Sequence, residues 1–442
     1  MPQSEELRRP GYAPSNNSLG RRGRYTRDRI LACAAKLFVA NGFHGTSIDA
    51  IAKAVGGSRA TIYQYFGSKE EIFVELARQC EPAVLEHGRQ LVRLGPDVEG
   101  MRNLHTWLRG WARLYDQYAM VFLEFPGIGT IAGVEQTDAG AVSDQYAELI
   151  TDRLREAGVS GIDPAYATAA LLRISHMVNL YRYRDMFGLP SETTVSASLT
   201  IAMQLLLFPE TPAHVIASVT PDREVERAEV MVPSGVLHPR ADEPDAMTVS
   251  PIRQDILAAA STLFADRGYY SVGVDDIAAA ANVSRATLYR HFTNKVKILS
   301  ELTGWAVIEG RHLSAELHQL ADVETDFDEL HAWLGRYVRL HRTYCGVIRA
   351  WYDGSLSAHL ADAVGQGLAP FQFAADALLN RTQLPTGMHR AVATAIFLAV
   401  LGRMTELTVS QHRAESDYDT ARLMLLVLQR ALLLPGGSAI SV

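Results

Sequence analysis

The sequence predicts an all-α protein in which one helical domain is written twice. Residues 30–73 match residues 256–299 at a constant offset of 226 without a gap, and 19 of these 44 positions are identical. Apolar residues recur in both stretches at the three-and-four spacing of a helix. The sequence has no sustained alternation of apolar and polar residues flanked by turns, the pattern typical of β-strands. The period is that of a whole domain rather than of a solenoid unit.

The offset extends well beyond this stretch, because Trp107 aligns with Trp333 and residues 206–209 align with 432–435. A chain of 442 residues is also too long for one ordinary single-core domain. Prolines recur between the copies, as in a linker. We therefore predict a basic flexible arm at 1–24, a helix-turn-helix domain at 25–73, a helical body at 74–209, a linker at 210–250, a second helix-turn-helix domain at 251–299 and a second helical body at 300–436.

The charge is distributed unevenly along the chain. The formal net charge is -7, which taken alone argues against a general nucleic-acid binder. Residues 1–70, however, carry 11 basic and 5 acidic groups, and residues 251–297 carry 6 and 4. The remainder holds 25 basic and 40 acidic groups. The acidic total is thus an average over two basic heads and strongly acidic bodies.

Several function classes lack their sequence signals. The three cysteines are far apart and form neither a disulfide framework nor a CxxC metal pair, so we expect a reducing cytosol. The sequence contains no Walker A, HExxH or GxSxG motif, and its histidines show no ligand spacing. We predict no enzyme activity, no cofactor and no metal site. No apolar stretch is long enough to span a bilayer, and the N-terminal residues have no apolar core, so we expect no secretory signal there.

The head of each copy has the pattern of a helix-turn-helix. In the first copy, a helix from about Thr26 to Ala40 stops at Gly42, and Ser47 is a suitable cap for a short second helix. Gly56 and Gly57 then form a tight turn. Two short helices joined by a glycine-containing turn match the plan of a DNA-reading motif.

The helix after the turn, predicted for residues 59–66, is amphipathic. Ile62 and Phe66 fall on the face that would be buried, whereas Arg59, Ala60, Tyr63 and Gln64 project from the other face. A small residue at Ala60 allows close entry to the major groove, and the Arg59 guanidinium can donate two hydrogen bonds to a guanine edge. Tyr63, Tyr65 and Lys69 are candidates for phosphate contacts.

These residues resemble the TetR/AcrR family of bacterial regulators. The resemblance is carried by Ser58-Arg59-Ala60-Thr61-Ile62-Tyr63 with Phe66 and Lys69, and by Ser284-Arg285-Ala286-Thr287-Leu288-Tyr289 with Phe292 and Lys295. It covers about 48 residues of each copy, and the remaining helices match only in length and pattern. Members are normally homodimers, and this chain is similar to the duplicated, single-chain variety.

The resemblance implies roles for individual residues. Base contacts are expected from Arg59, Ala60, Tyr63, Gln64, Arg285, Ala286, Tyr289 and Arg290. Backbone contacts are expected from Ser47, Thr61, Tyr65, Lys69, Thr287, His291 and Lys295, and Ser58 and Ser284 cap the two recognition helices. Gly57 stands where the family usually has an apolar residue, so the first turn is expected to be looser. Gly273 replaces the cap that Ser47 supplies, so one phosphate contact is expected to be missing in the second copy.

The resemblance also implies that each body binds a ligand and mediates dimerisation. The last two helices of each body, about 163–186, 191–208, 387–408 and 417–434, are apolar, which suits a four-helix interface. Candidate pocket residues are Trp107, Trp111, Phe122, Phe125, Arg173, His176, Tyr181, Trp333, Tyr337 and Trp351. The alternative is that the aromatic residues are plain core. Arg173 and His176 on an apolar helix either orient a polar ligand group or reach solvent.

The sequence therefore predicts a ligand-responsive transcriptional regulator, most simply a repressor. It would read a near-palindromic double-stranded DNA operator with two recognition helices from one chain and respond to a small apolar or amphipathic effector. The two copies are expected to pair within the chain, with a further homodimer as the alternative. The basic arm would lie along phosphates or in a minor groove, or serve only as a solubilising tail. The competing interpretation is a DNA-bound recruitment protein without small-molecule sensing. The expected location is the bacterial cytoplasm, at the nucleoid.

Overall fold

The computed structural model describes residues 20–124, 139–219, 250–321, 326–351, 356–406 and 416–433. Most of the predicted arm, most of the predicted linker and Phe125 lie outside these ranges. The fold is 81% helical, and no strand occurs in the described ranges. The predicted all-α class with two helical repeats is therefore confirmed. None of the described helices is long and apolar enough to cross a membrane.

The first copy begins with the three helices of its head, which are α1 (Arg21–Gly45), α2 (Ile48–Val55) and α3 (Arg59–Tyr63). Its body consists of α4 (Lys69–Arg89), α5 (Val98–Gln117), α6 (Ala119–Glu124), α7 (Ala139–Glu156), α8 (Pro164–Tyr183) and α9 (Glu192–Leu207). A short helix α10 (Ala213–Ile216) follows. It lies at the start of the predicted linker, and its Val215 and Ile216 pack in an apolar cluster with Met101 and Ile201.

The second copy repeats this order. Its head consists of α11 (Pro251–Arg267), α12 (Val274–Ala280) and α13 (Arg285–His291). Its body consists of α14 (Lys295–Leu320), α15 (Phe327–Thr343), α16 (Cys345–Trp351), α17 (Ser357–Arg381), α18 (Arg390–Arg403) and α19 (Asp417–Leu428). A π-helical turn (Gln429–Leu433) continues α19. The 226-residue offset places each of α1–α9 on a counterpart among these helices.

The chain forms two compact units that do not coincide with the two copies. The first comprises the described residues of Met1–Gln90, Gly110–Ile150 and Tyr352–Ala358. The second comprises the described residues of Leu91–Arg109, Thr151–Trp351 and His359–Val442. The first head therefore belongs to the first unit, and the second head to the second unit.

Aromatic packing holds the first head together. The Phe38 ring centroid lies 5.4 Å from that of Phe43 and 5.9 Å from that of Phe73, and all three rings are buried. A left-handed φ of 72° at Gly42 breaks α1 just before this cluster, at the predicted stop. Arg27 on α1 forms an ion pair with Glu75 on α4 at 3.3 Å. These contacts fix the start of α4 against the head.

In the second unit, helices from both copies pack on one another. α8 and α9 of the first copy both contact α18 of the second, and α9 also contacts the π-helical turn. All residues of α9 from Val195 to Leu207 are buried, including four polar ones. A helix that is buried all round must be enclosed by other elements. We call the surface formed by α8 and α9 the copy-one surface, and that formed by α18, α19 and the π-helical turn the copy-two surface.

Candidate nucleic-acid interface

Local side-chain chemistry shapes the turn of the first head. The Ser47 hydroxyl accepts a hydrogen bond from the Ala50 amide at 3.1 Å and so caps α2. Gly56 ends α2 in the left-handed conformation, with φ of 71°. The Ser58 hydroxyl accepts from the Thr61 amide at 3.2 Å, and Thr61 bonds back to the Ser58 amide. The path from α2 into α3 is therefore fixed by caps and one glycine.

The recognition helix of the first copy separates its two faces as the sequence predicts. Ile62 and Phe66 are buried, whereas Arg59, Ala60 and Gln64 are exposed. The Tyr63 side chain is 49% exposed, which is unusual for a large aromatic residue and leaves its ring available to a partner. Thr61 and Tyr65 are half-buried at the edges of this face. α3 ends at Tyr63 rather than at Phe66, although Gln64 keeps helical backbone angles.

The second head repeats this arrangement with different residues in the turn. Asn282 takes the place of Gly56 and also has a left-handed φ, of 53°. The Ser284 hydroxyl caps α13 by accepting from the Thr287 amide at 3.0 Å. Leu288 and Phe292 are buried. The exposed face consists of Arg285, Ala286, Tyr289 and Arg290, with Thr287 and His291 half-buried beside it.

Gly273 stands at the cap of α12. It has no side chain to accept a hydrogen bond, but its own amide donates to Asp276 Oδ2 at 2.7 Å. Ser47 in the first copy supplies a hydroxyl at the aligned position. The missing phosphate contact expected at Gly273 stays a prediction.

The leading arginine of each recognition helix is paired with an aspartate of the preceding helix. Arg59 Nε lies 2.5 Å from Asp49 Oδ1, and Arg285 Nη1 lies 3.1 Å from Asp275 Oδ2. All four side chains are more than half exposed. Arg285 also lies 5.6 Å from the centre of the Tyr289 ring. Reasoning from the sequence missed these aspartates, although both occupy the same place in the repeat.

Lys69 and Lys295, predicted to hold phosphates, are directed into their heads. Lys69 Nζ donates to the backbone carbonyls of Phe43 at 2.8 Å and Thr46 at 2.9 Å. Lys295 Nζ donates to Tyr269 and Val272 at 2.7 and 2.8 Å. Burial lowers the pKa of Lys295. Each lysine thus ties the loop before the second head helix to the start of the next long helix, and its predicted phosphate contact stays a prediction.

Two of the predicted pocket residues of the first body lie together in an aromatic cluster of the first unit. The Trp111 ring centroid lies 5.1 Å from that of Phe122, and both side chains are buried. His87 and Tyr146, which the sequence analysis did not name, complete the cluster. Tyr146 stacks on Trp111 at 5.8 Å, and its hydroxyl lies 2.9 Å from His87 Nδ1. Burial raises the pKa of Tyr146 well above its usual value.

The aromatic residues named for the second body are divided between two places. Trp333 is fully buried, stacks on Tyr337 at 5.6 Å and donates through its indole N–H to the Leu313 carbonyl at 2.8 Å. Trp351 is half-buried, and its indole N–H donates to the Thr303 hydroxyl at 3.3 Å. Both indole donors are therefore satisfied within the second body.

The remaining described pocket candidates belong to the second unit. Trp107 is buried, and Tyr181 is buried with its ring 4.8 Å from Phe187. Arg173 and His176 lie on the copy-one surface. Arg173 Nη1 donates to the Arg403 carbonyl at 2.8 Å. Burial, strengthened by the positive charge of Arg403, lowers the pKa of His176 to about 3. The sequence analysis expected Arg173 to orient a ligand group or to reach solvent, whereas its guanidinium contacts the Arg403 carbonyl of the second copy.

A separate cavity of about 550 Å³ lies in the second unit. It is lined by the first turn of α8, the first turns of α15 and one side of α19. Tyr166, Asp328 and Tyr418 are among its lining residues, and none of the predicted pocket residues is.

Comparison with known proteins places the similarity in the two heads. The family model described as bacterial regulatory proteins, tetR family, matches residues 30–76 and again residues 256–302. The two matched ranges contain the paired arginines and the recognition helices described above.

Three relatives show how far the similarity extends. The HTH-type transcriptional activator FasR of Mycolicibacterium smegmatis is 48% identical over 46 residues, which are 10% of this chain and 21% of that protein. The HTH-type transcriptional repressor AcnR of Corynebacterium diphtheriae is 33% identical over 98 residues, 21% of this chain and 48% of that protein. The HTH-type transcriptional regulator UidR of Escherichia coli K12 is 37% identical over 76 residues, 17% of this chain and 36% of that protein. The chain thus spans half or less of the length of these relatives.

The two matches, separated by the same 226 residues as the internal repeat, confirm the resemblance inferred from the motifs. Both heads therefore match the tetR family of bacterial regulatory proteins, and the two matches stand in tandem in one chain.

Proposed function

We propose that the chain is a ligand-responsive, DNA-binding transcriptional repressor that reads one operator with both of its recognition helices. The observation that carries the proposal is that α3 and α13 present the same exposed face. In each helix this face consists of an arginine, an alanine and, one turn later, a tyrosine. Exposed side chains on a short, well-capped helix after a tight turn are suited to entering the major groove. We propose no catalytic activity, and the site of action is the bacterial cytoplasm.

The operator is near-palindromic, because the two faces are nearly the same. Arg59 and Arg285 each read a guanine through two hydrogen bonds, so both half-sites contain the same core. Gln64 and Arg290 occupy equivalent positions and introduce the asymmetry. Two such helices read half-sites about one helical turn apart, roughly 34–36 Å. The remaining predicted contacts hold the DNA backbone.

The two copies act as a pseudo-dimer within one chain. Support comes from the second unit, where α8 and α9 contact α18. A single chain then supplies both recognition helices, as two subunits do in a homodimer. Size-exclusion chromatography with light scattering tests this. A species of 48.5 kDa is expected, whereas a stable species of twice that mass would show that a further homodimer forms.

The effector is a small apolar or amphipathic molecule. The aromatic character of Trp111 and Phe122 supports this class, because apolar and aromatic residues line such sites, although in this structure the two rings pack on each other. Repression is proposed as the direction of control since AcnR is named a repressor, although FasR is named an activator.

Selection of bound duplexes from a random DNA library tests the operator. The intact chain should enrich two similar half-sites at a fixed separation. Arg59→Ala should erase the guanine preference in one half-site, at a cost of roughly 1–3 kcal/mol, and Arg285→Ala should erase it in the other. Arg102→Ala removes an exposed arginine of α5 and serves as the control. If Arg59→Ala weakens binding to all sequences equally, Arg59 contacts phosphate and the assignment fails.

A second candidate is DNA-bound recruitment of another protein without sensing. It is favoured by the mutual packing of Trp111, Phe122 and Tyr146, which fills space that a ligand would need. Release of the chain from its operator by metabolites of the neighbouring genes would support the sensor. Retention with all of them, together with capture of one protein partner on the operator, would support recruitment.

A further inference from the structure

Three side chains form four hydrogen bonds between the two copies where the copy-one surface meets the copy-two surface. Arg173 Nη1 donates to the Arg403 carbonyl at 2.8 Å. The Ser198 hydroxyl accepts from the His389 amide at 3.0 Å, at the first turn of α18. In the opposite direction, Arg430 Nη1 donates to the Ser160 carbonyl at 2.9 Å and to the Leu206 carbonyl at 3.3 Å. Each contact uses a side chain from one copy and a backbone group from the other.

None of the three side chains has an equivalent in the other copy. At the 226-residue offset, Arg173 aligns with Ala399, Ser198 aligns with Met424, and Arg430 aligns with Gln204. Gln204 is turned to its own copy, where it donates to the Gly95 carbonyl at 2.9 Å. The interface joins two repeats of one fold, yet none of these side-chain hydrogen bonds has a symmetric counterpart made by the aligned residue of the other copy.

Arg173 depends on how α18 ends. α18 ends at Arg403 and passes directly into a 3₁₀ turn, Met404–Glu406, and the Arg403 carbonyl accepts from Arg173 at this change of helix type. Glu406 lies in this turn, and its negative charge opposes the lowering of the Arg173 pKa by burial and by the positive charge of Arg403. The helix end and the carboxylate together supply an acceptor and a counter-charge for a largely buried guanidinium.

The copy-one surface offers neither feature. α8 continues to Tyr183, so Met177, the residue aligned with Arg403, lies inside the helix, where its carbonyl is already bonded. Leu180 stands in the place of Glu406. If two copy-one surfaces met in the same way, each would bury Arg173 against a partner without a free acceptor, which is strongly unfavourable.

Pairing of two copy-two surfaces is disfavoured by a different group. The His389 amide is satisfied by Ser198, whose side chain is fully buried. Met424 would take the place of Ser198 in such a pair and cannot accept this bond in the same way. His389 is half-buried, so loss of this acceptor would weaken the pairing.

Arg430 passes close to Gly161, whose φ of 67° is matched by a φ of 82° at the aligned Gly387, so the glycine itself does not distinguish the copies. Arg430 itself is carried by the π-helical turn Gln429–Leu433, whereas the aligned residues 203–207 belong to the α-helix α9. The backbone therefore differs between the two copies at the turn from which Arg430 reaches the first copy.

We infer that this surface selects unlike copies: a copy-one surface binds a copy-two surface and rejects a second copy-one surface, with Arg173 as the main discriminating residue. The inference builds on the proposed pairing of the two copies. Its consequence is that two chains can associate through these helices only by exchanging copies, never through two copy-one surfaces.

Partner exchange in the full chain tests the inference. A protease site is placed in the predicted linker, and the chain is purified intact and then cleaved. Cleaved preparations with and without ¹⁵N are mixed in urea. The urea concentration is raised until labelled and unlabelled copy-two pieces exchange between pairs, and the mixture is then returned to buffer without urea. Native mass spectrometry then distinguishes like pairs from unlike pairs by mass.

We expect unlike pairs, with copy-one pairs at least about tenfold below their random share, because a buried charge without its partner is strongly disfavoured. Arg173→Ala should raise the copy-one pairs towards that share, whereas the control Arg102→Ala should not. If the unsubstituted chain forms like and unlike pairs in random proportions, the inferred selectivity is wrong, whereas the proposed pairing of the two copies still stands. Pieces that do not associate at all would overturn both. An unchanged distribution in Arg173→Ala would overturn the role of that residue.

Discussion

The guanidinium of Arg59 lies 2.5 Å from the carboxylate of Asp49, ten positions earlier on the preceding helix. The same relationship joins Arg285 to Asp275 at 3.1 Å, although fewer than half of the aligned head positions are identical. An exposed pair of this kind adds little to folding stability. We propose that its effect is on DNA binding: the aspartate would orient the arginine and partly neutralise its charge before a base is reached.

Asp49→Asn is therefore expected to weaken discrimination between sequences rather than binding itself. With the carboxylate neutralised, Arg59 is free to contact a phosphate, so affinity for scrambled DNA should rise. The slope of log affinity against log salt should steepen by about one unit, the effect of one added phosphate contact. Fluorescence anisotropy on operator and scrambled duplexes over a salt series measures both quantities.

The control for this substitution is Asp144→Asn, which removes an exposed carboxylate on α7. It lowers the negative charge by the same amount away from the recognition helix. If Asp144→Asn steepens the salt slope as much as Asp49→Asn does, the effect is one of net charge, and the proposed role of Asp49 is wrong.

The pair Gln64 and Arg290 is expected to set the asymmetry of the operator. Both side chains are exposed at equivalent positions, and an arginine favours guanine whereas a glutamine favours adenine. Gln64→Arg should make the two selected half-sites alike, and Arg290→Gln should make them alike in the other sense. Each change should alter the preference at one base pair by about 1–3 kcal/mol. Selected sequences that stay asymmetric in both variants would remove these residues from base reading.

Lys69→Met tests whether this lysine stabilises the head. The substitution leaves the carbonyls of Phe43 and Thr46 without the donor they have now. Loss of these bonds should lower the free energy of unfolding by about 1–3 kcal/mol. Chemical denaturation followed by circular dichroism measures the change, with Lys53→Met, an exposed lysine of α2, as the control. Unchanged stability combined with weaker DNA binding would instead assign Lys69 to a phosphate.

The heads were predictable because their structure is encoded locally. Ser47 and Ser58 cap their helices within three residues, and Ile62 alternates with exposed neighbours within one turn. The interface contacts were not predictable in the same way. Arg173 and its acceptor on Arg403 are 230 residues apart, and His87 is 59 residues from Tyr146. No periodicity links such positions, so a charged residue on an apolar helix could be noticed but its partner could not be named.

The last prediction concerns pH and the two buried histidines of the second unit. Burial, with Arg403 adding to it, lowers the pKa of His176 to about 3, and burial likewise lowers that of His341 to about 4. The groups that face His341 are Arg403, Arg349 and Glu406, and its Nδ1 lies 2.8 Å from the Thr405 hydroxyl.

Both histidines stay neutral in the folded chain until the pH nears these values, whereas the unfolded chain takes up protons near pH 6.5. Stability is therefore fully present above the unfolded pKa and falls as the pH drops below it. At pH 5.5 each histidine should lower the free energy of unfolding by about 1.4 kcal/mol relative to pH 7.5. The double variant His176→Asn with His341→Tyr should lose most of this pH dependence of stability. Tyrosine is chosen for position 341 because Tyr115 occupies the aligned position in the first copy. Urea midpoints at the two pH values measure it, and an equal fall in the double variant would assign the loss to other groups.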